Sequence, residues 1–273
     1  MNFAFHMRQP FTKTVAMATA VRRGASVHGD TVQILEGYTG VADVEGLILF
    51  GIGGHSRHIW DDYDGKHRIL IDKGYSRMPY YRVAINYFQP LAYMDRIQRP
   101  DDRLARLGIK FQKYKGEGDA ILFDGASNKY CLWMGLGDWI AWGESMVAKI
   151  RHHTDRPIIY RPRPSHNEPV SINGAELSGG PLADDLARSA VVVSYGGNIG
   201  WDAAISGVSH FAIGDSIARP ISETVWERLD DPLIPDKRNA WAANVAYCQW
   251  TIDELSSGEA WGYIRQEINR DKL

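Results

Sequence analysis

The sequence predicts an α/β protein with two doubly wound domains, and three observations support this fold class. Short apolar runs rich in Val, Ile, Leu and Phe alternate with segments of helical spacing. The runs are continuously apolar, which is typical of parallel strands covered on both faces. The chain has 273 residues, more than the roughly 250 at which a single core stops growing. We therefore expect two domains that face a cleft, with ligands at the carboxyl ends of the strands.

The first half begins with a predicted strand, a helix and a second strand. The helix is expected over residues 12–23, with Thr12 as its cap after Pro10 and Gly24 as its end. Further apolar runs follow it. The predicted strands of this half cover residues 3–6, 31–36, 46–50 and 68–72.

The second half repeats the rhythm after a polar segment, KYKGEGD at residues 113–119, which is the predicted linker. The expected domains are residues 1–117 and 118–240, followed by a mostly helical tail, residues 241–273, that packs against a domain through its aromatic positions. The predicted strands here cover 120–123, 157–161, 190–194 and 210–213, and the predicted helices cover 138–150, 181–189 and 198–205.

The composition excludes several classes of protein. Hydrophobic residues make up 44% and charged residues 23% of the chain, close to globular averages, which excludes disordered, collagen-like and coiled-coil chains. No run of about 18 apolar residues is present, and the start lacks the apolar segment of a signal peptide. We therefore expect a cytoplasmic protein with no membrane partner. Cys131 and Cys248 have no metal-ligand spacing and are expected to be core thiols.

Charge is unevenly distributed along the chain. Its 31 basic and 33 acidic residues give a net charge of −2. Residues 1–117 have 17 basic and 12 acidic side chains, a net charge of +5, whereas residues 118–273 have 14 basic and 21 acidic ones, a net charge of −7. Residues 96–115 alone hold seven basic and two acidic side chains. The basic half predicts an anionic partner, with a solvated helix face as the alternative.

The segment VVVSYGGNIGWDAA, residues 191–204, predicts an anion-binding turn. A buried strand ends at Ser194, Gly197 removes side-chain bulk, and a helix begins near Asn198. Free backbone N–H groups and the positive end of the helix dipole converge at such a turn. Asp202 lies one turn into the helix, where its carboxylate can reach ribose hydroxyls. The alternative is a tight connection whose glycines serve only the turn.

Two further loops follow strands of the same predicted sheet. IIYRPRPS places Arg161 and Arg163 just beyond a strand, where the prolines stiffen the chain. Guanidinium groups held in this way suit bidentate contacts with phosphate, and the alternative is a pair of surface arginines. In FDGASNKY, the side chains of Ser127, Asn128 and Lys129 are candidate donors to a phosphate or sugar, but they also suit an ordinary polar turn.

The candidate general base is Asp72, which ends a strand in the first half. The segment RILIDKGYSR places Lys73 and Arg77 shortly after it. A carboxylate at the carboxyl end of a strand, opposite a donor-binding domain, is where an acceptor-activating base is expected. The alternative is an ion-paired aspartate at a turn.

No metal site is predicted. Asp62 and Asp64 match the DxD pattern of metal-bound nucleotide sugars, but the following glycine favours a simple turn. His55 and His58 lack the glutamate of a zinc-protease motif.

The second half resembles the nucleotide-sugar-binding domain of glycosyltransferases with the GT-B architecture. The shared pattern is an apolar strand, a serine, a small turn and Gly-x-Asp-Ala, here Ser194 to Ala203. In that family the acid at this place binds the donor ribose, which implies this role for Asp202. The motifs and the resemblance together predict a donor-binding set of Ser127, Lys129, Arg161, Arg163, Ser194, Gly197, Asn198 and Asp202.

Two shorter segments resemble bacterial capsule Kdo transferases. Arg161-Pro-Arg-Pro is similar to their basic-Pro-His-Pro loop, with Arg163 at the position of the histidine. Asp72-Lys-Gly-Tyr-Ser-Arg is similar to their Glu-Asp-Gly-Phe-x-Arg strand end, whose Asp is the proposed base. Alignment on Gly74 places Lys73 at that Asp and Asp72 at the Glu, so the identity of the base stays open.

The compact chain also resembles phage-type glycosyltransferases that modify hydroxymethylated pyrimidines in DNA. This implies a GT-B enzyme that transfers a sugar from a nucleotide sugar, preferably a UDP-sugar, to DNA in the host cytoplasm, without a prosthetic group or metal. GT-B enzymes usually bind the acceptor on the amino-terminal domain. The predicted acceptor-binding residues are Lys73, Arg77, Arg99, Arg103 and Arg106. The alternatives are a saccharide-directed transferase, a nucleotide-sugar epimerase and a non-enzymatic nucleotide- or DNA-binding module.

Overall fold

The computed structural model describes residues 1–7, 9–53, 56–163 and 170–270. The chain forms two compact units: unit 1 contains Met1–Ile97 and Val245–Leu273, and unit 2 contains Gln98–Asn244. These boundaries differ from the predicted ones after residues 117 and 240. The basic segment 98–117 belongs to unit 2, and the tail returns to unit 1.

Each unit is built around one β-sheet with helices beside it. The described strands are β1 (Asn2–Met7), β2 (Thr31–Glu36), β3 (Gly46–Phe50), β4 (His67–Lys73), β5 (Tyr80–Ile85), β6 (Ala120–Asp124), β7 (Ile158–Arg161), β8 (Glu176–Leu177), β9 (Ser189–Ser194), β10 (Ser209–Ala212) and β11 (Gln249–Thr251). The described α-helices are α1 (Thr12–Val27), α2 (Ser56–Asp62), α3 (Asp102–Arg106), α4 (Asn128–Met134), α5 (Trp139–His153), α6 (Leu182–Arg188), α7 (Ile199–Ser206), α8 (Arg238–Ala246), α9 (Ile252–Ser257) and α10 (Glu259–Arg270).

Both sheets contain a point where the strand order reverses. In unit 1 the order is β11-β5-β4-β3-β1-β2, with β2, β1, β3 and β4 parallel and the other two antiparallel to their neighbours. In unit 2 the order is β10-β9-β6-β7-β8, and these pairs are parallel. The chain leaves β1 for β2 on one side and adds β3 on the other, and β6 is flanked by β7 and β9 in the same way. Sheets of this kind bind ligands at the carboxyl ends of such strands, so each unit has one candidate crevice.

The main strands agree with the sequence patterns. The predicted strands of the first half correspond to β1–β4 and those of the second half to β6, β7, β9 and β10, each within one residue at either end. Strands β5, β8 and β11 and the helices α2, α3 and α4 were not predicted. The strands β8 and β11 are too short for a periodic signal, and the latter interrupts the predicted helical tail.

Helix α1 continues past Gly24, where the sequence predicted its end. A Cβ atom at Gly24 would collide with the carbonyl oxygen of Leu255 in α9. This glycine therefore lets two helices pack with their backbones in contact, and α1 ends at Val27. The N-cap is Phe11 and not the predicted Thr12, and no side chain caps this end.

The predicted linker packs against unit 2. The backbone N–H of Lys115 donates to the carbonyl oxygen of Gly207 at 2.9 Å, and its Nζ donates to the carbonyl oxygen of Leu186 at 3.0 Å. The guanidinium of Arg238 lies 4.5 Å from the ring centre of Tyr114. The polar composition predicted a linker between the domains, but these contacts hold the segment on unit 2.

The tail packs in unit 1 through its aromatic residues, as its pattern predicted. Trp261 of α10 lies edge-on to Phe3 of β1 at 5.4 Å, and its indole N–H donates to Asp30 at 2.7 Å. Burial raises the pKa of Asp30, but the hydrogen bonds from the amino terminus and Trp261 and the nearby charge of Arg265 lower it in sum. The aspartate therefore joins α10 to the turn before β2.

Both cysteines are buried, as predicted. Burial raises the pKa of the Cys131 thiol to about 11, so it stays protonated at neutral pH. Across the residues that the structure describes, no helix is both long and apolar enough to cross a membrane.

Candidate functional site

The crevice of unit 2 contains the side chain of Arg163. Its Nε donates to the carbonyl oxygen of Gly125 at 2.9 Å, and its Nη2 donates to Asp124 Oδ2 at 2.9 Å and to the carbonyl oxygen of Gly196 at 2.6 Å. Asp124 ends β6, and Gly196 lies in the turn after β9. One guanidinium group therefore joins the two strands at the point where their order reverses.

The two glycines of this turn make room for neighbouring side chains. Gly197 has a φ of 122°, and a Cβ atom there would collide with the guanidinium of Arg163. A Cβ atom at Gly196 would collide with the hydroxyl of Tyr130, whose ring centre lies 5.9 Å from the Arg163 guanidinium. The glycines thus serve close packing as well as the turn itself.

Two helices begin at this edge of the sheet. Helix α7 starts after Asn198, whose side chain makes no capping bond, and Asp202 lies in its first turn, partly exposed. Helix α4 starts after Ser127, which caps it by accepting from the N–H of Tyr130 at 3.3 Å. Lys129 of α4 is exposed. The predicted residues 127, 129, 197, 198 and 202 therefore lie where helix dipoles favour an anion.

Arg161 does not point to the same place as Arg163. Its Nη1 donates to Asp185 Oδ2 at 2.6 Å, to Ser178 Oγ at 2.9 Å and to the carbonyl oxygen of Gly180 at 3.0 Å. The sequence predicted that both guanidinium groups hold one diphosphate. Instead each of them binds its own carboxylate, and Arg161 holds α6 against the edge of the sheet.

Ser194 was predicted to bind the donor, but its side chain is fully buried. Its hydroxyl lies 2.8 Å from His210 Nε2, and His210 Nδ1 lies 2.6 Å from the hydroxyl of Ser222. Ser222 donates to the carbonyl oxygen of Ala218, so the imidazole carries its proton on Nδ1 and Ser194 donates to Nε2. Burial lowers the pKa of His210 to about 3, so the three hydrogen-bonded side chains of Ser194, His210 and Ser222 are neutral. They lie beneath the crevice.

Asp72 lies in an ion pair. Its Oδ2 accepts from Arg82 Nη2 at 3.3 Å, and its Oδ1 accepts from the N–H of Lys73 at 2.8 Å. Arg82 is the residue opposite it on β5 and is buried. This is the ion-paired alternative considered for the motif. Lys73 and Arg77 are exposed.

The three predicted acceptor arginines of the basic segment lie in unit 2, and one of them is not exposed. Arg103 of α3 is buried. Arg106 lies 3.8 Å from Asp102 in the same helix. The backbone N–H of Arg99 donates to the side chain of Asn244. The short helix α3 turns one of these side chains inward, which charge counting along the sequence does not reveal.

Unit 1 has a cavity of about 600 Å³ that the sequence did not predict. It lies at the carboxyl ends of β1, β2 and β3, at the reversal point of this sheet. The missed signal is the pair Gly51 and Gly53 directly after β3, which is similar to the glycines that follow the strand singled out in unit 2. The lining residues include His6, Tyr38, Phe50, Gly53, Ser56 and His58.

The imidazole of His6 forms part of the cavity wall and is hydrogen-bonded at both nitrogens. Nδ1 lies 3.3 Å from the carbonyl oxygen of Gly37, and Nε2 lies 2.8 Å from the hydroxyl of Tyr63. Burial lowers the pKa of His6, although the bond to Gly37 opposes this. Because a carbonyl oxygen only accepts, the neutral ring carries its proton on Nδ1, and Tyr63 donates to Nε2.

A second group of polar side chains lies at the same cavity. The hydroxyl of Tyr38 donates to Asp62 Oδ2 at 2.5 Å, and His58 Nε2 lies 3.3 Å from the same oxygen. The rings of Tyr38 and His58 meet edge-on at 5.7 Å. Burial and the neighbouring carboxylate raise the pKa of Tyr38. Asp62, which the sequence assigned to a polar turn, is the last residue of α2 and joins these two rings.

The comparisons with known proteins show the fold. No protein-family model matches the sequence, and no curated protein matches it. The solved structure of the Thermosulfurimonas dismutans KpsC β-Kdo 2,7-transferase is 12% identical, with a TM-score of 0.55 over 95% of this chain and 99% of that chain. The β-Kdo 2,4-transferase of KpsC from the same organism is 9% identical, with a TM-score of 0.52 over 91% and 92% of the two chains. The protein therefore has the α/β fold of GT-B glycosyltransferases, with one parallel sheet, one mainly parallel sheet and a helical tail, in agreement with the fold class that the sequence predicted.

Proposed function

We propose that the protein is a glycosyltransferase whose nucleotide-sugar donor binds at the crevice of unit 2. The observation that carries this proposal is the arrangement at the ends of β6 and β9. There the glycine turn, the N-terminus of α7 and a guanidinium group adjoin one another, with Asp202 in the first turn of the helix. The likeness in fold to the two Kdo transferases supports the same function.

Each group at this crevice suits one part of a nucleotide sugar. The N-terminus of α7 and Arg163 favour the negative charge of a diphosphate. Arg163 is about one quarter exposed, and no described residue accepts from its Nη1, which leaves donor capacity for a phosphate oxygen. Asp202 suits the ribose hydroxyls as an acceptor. As the sugar leaves, these donors stabilise the charge that develops on the phosphate.

We further propose a saccharide hydroxyl as the acceptor, in place of the DNA predicted from the sequence. Duplex DNA is bound through many exposed cations, whereas Arg103 is buried and Arg106 pairs with Asp102. The structural neighbours are named as Kdo transferases, which favours a saccharide. Transfer to hydroxymethylpyrimidine DNA is the alternative outcome.

The test is a donor and acceptor panel read by mass spectrometry. UDP-, CMP-, GDP- and dTDP-sugars are incubated with neutral and acidic oligosaccharides and with hydroxymethylated and unmodified DNA. We expect a mass increase of one sugar on a saccharide, with a UDP-sugar as the first donor to examine. A rearranged sugar formed without an acceptor would indicate an epimerase, and donor binding without turnover would indicate a binding module.

A variant links the reaction to the crevice. Asp202→Asn should weaken binding of the free nucleotide about 10-fold or more, because a neutral amide replaces a charged acceptor. The matched control is Asp184→Asn, since Asp184 is exposed on α6 in the same unit. Equal affinity of both variants and the wild type would exclude Asp202 from the site.

A further inference from the structure

Unit 2 contains two arginine–carboxylate pairs that have similar local chemistry but different places in the sheet. Arg161 Nη1 donates to Asp185 Oδ2 at 2.6 Å. Arg163 Nη2 donates to Asp124 Oδ2 at 2.9 Å. The side chain of each aspartate is 9% exposed. Asp185 belongs to α6, whereas Asp124 ends the middle strand, β6, where the strand order reverses. Of these two pairs, only the second therefore lies at the crevice proposed for the donor.

The contacts of Arg163 use two of its three nitrogens. Nη2 donates to Asp124 and to the carbonyl oxygen of Gly196, and Nε donates to the carbonyl oxygen of Gly125. None of the described residues accepts from Nη1. A Cβ atom built on Gly197, directly before the N-cap of α7, would lie 2.8 Å from Nη1. The available nitrogen therefore adjoins the helix N-terminus that favours a phosphate.

Asp124 supplies the negative charge of this arrangement. The other two groups that accept from Arg163 are carbonyl oxygens, which carry no net charge. The hydroxyl of Tyr160 packs against Gly125, but burial, and after it the charge of Asp124, raises the pKa of Tyr160 to about 12. The phenol therefore stays neutral, and the charge of the guanidinium is balanced by the carboxylate of Asp124.

This carboxylate has two opposing effects on an anionic ligand. Its charge repels a phosphate, whereas its hydrogen bond holds the guanidinium in one orientation. A side chain that is already fixed loses less conformational entropy when the ligand binds. Because the charge of Asp124 is offset by the guanidinium bonded to it at 2.9 Å, we expect the effect of orientation to be the larger one.

We propose that Asp124 is a positioning residue of the donor site, which holds Arg163 so that its Nη1 binds the diphosphate of the nucleotide sugar. This inference rests on the proposed function of the crevice. Asp124 acts through Arg163 and makes no contact with the ligand. The guanidinium that it holds also stabilises the charge that develops on the departing phosphate.

The binding test compares UDP and uridine on the full chain, by calorimetry and NMR titration. Asp124→Asn should weaken binding of UDP about 10-fold, the scale of a weakened charged hydrogen bond, and leave the affinity for uridine within twofold. The matched control is Asp185→Asn, which removes the charge of the other pair and should leave both affinities unchanged. Tighter binding of UDP by Asp124→Asn, or an equal loss in both variants, would overturn the proposal.

A double variant tests whether Asp124 acts through Arg163. Residues that act as one unit have non-additive effects. Asp124→Asn combined with Arg163→Lys should therefore bind UDP within threefold of Arg163→Lys alone. If the two losses instead multiply to about 100-fold, Asp124 acts independently of Arg163, and the proposed positioning role is wrong.

The Nε–H resonance of Arg163 reports the orientation directly. This proton is bonded to Gly125 and should exchange slowly with water in the wild type. Its exchange should be about 10-fold faster in Asp124→Asn and unchanged in Asp185→Asn, and its loss in Arg163→Lys identifies the signal. An unchanged rate in Asp124→Asn would overturn the positioning role.

The wild type separates failure of this inference from failure of the proposed function. If it binds no UDP and no other nucleotide, the proposed function fails, and this inference fails with it. If it binds UDP and Asp124→Asn binds UDP equally well, only the role of Asp124 is overturned.

Discussion

At the scale of single residues, two neighbouring arginines of unit 2 have different structural roles. Arg161 and Arg163 are separated by one proline in the sequence, and each ends at a buried carboxylate. Only Arg163 lies between the strands where the sheet order reverses. Its planar group satisfies one carboxylate and two carbonyl oxygens at once, which an ammonium group on a lysine does not reproduce.

This difference gives a prediction for ligand binding. Arg163→Lys should weaken binding of a nucleoside diphosphate about 10-fold, because the variant lacks the planar fork that adjoins the proposed diphosphate site. Binding of the bare nucleoside should change less. Calorimetry with UDP and uridine measures both. Arg161→Lys is the control, and an equal loss in this variant would attribute the effect to the fold of the unit.

A second residue-scale prediction concerns His210 and pH. Its pKa in the folded chain is about 3, below the ordinary value near 6.5, so below that pH the unfolded chain binds a proton that the folded chain does not. The contribution of this residue to stability is therefore constant above about pH 7 and falls as the pH decreases, by roughly 1 kcal/mol between pH 7.5 and 5.5.

Urea unfolding of the wild type and His210→Gln at these two pH values measures the effect. The variant should be less stable at pH 7.5 and should lose less stability on acidification than the wild type. His152→Gln replaces an exposed histidine and should keep the wild-type pH dependence. A variant with the wild-type slope would show that His210 does not carry this linkage.

At the scale of elements, close approach of backbones governs where the glycines lie. Gly24 lies inside α1 at the point where α9 packs against this helix. A side chain at this position would collide with the carbonyl oxygen of Leu255. Gly143 is also inside a helix, α5, but a Cβ atom there meets only the side chain of Ile172, at 3.1 Å. The same residue type thus has a packing role in one helix and little in the other.

The two glycines predict opposite effects of substitution by alanine. Gly24→Ala should lower stability by about 1–3 kcal/mol, because backbone atoms have to move apart. Gly143→Ala should change it by less than about 1 kcal/mol, since helix propensity gains offset a small side-chain shift. Chemical denaturation followed by circular dichroism compares them. A neutral Gly24→Ala would mean that the two helices separate easily.

At the scale of the whole molecule, each unit carries one crevice at the reversal point of its own sheet. The crevice of unit 2 has helix N-termini and an arginine, whereas the cavity of unit 1 has apolar walls and neutral polar groups. The two sites therefore suit ligands of different charge.

Hydrogen exchange read by mass spectrometry tests whether the crevice of unit 2 and the cavity of unit 1 differ in the ligands that they bind. A nucleoside diphosphate should protect residues 125–130 and 196–203 in unit 2. Residues 37–38, 50–53 and 56–59 in unit 1 should keep the exchange rates of the free protein. Protection of the unit 1 peptides by the nucleotide alone would contradict the assignment of the two sites.

The sequence by itself determined the α/β class, the principal strands and the glycine turn with Asn198 and Asp202. These follow from local signals, because apolar periodicity and turn chemistry depend on residues close together in the chain. Only the tertiary structure decided which polar side chains remain available to a ligand. Arg163 meets Asp124 from 39 residues away, Ser194 meets His210, Arg103 is buried, and Tyr38, which follows β2, meets Asp62 of α2. Such partners depend on how distant segments pack, and no spacing along the chain encodes that packing directly.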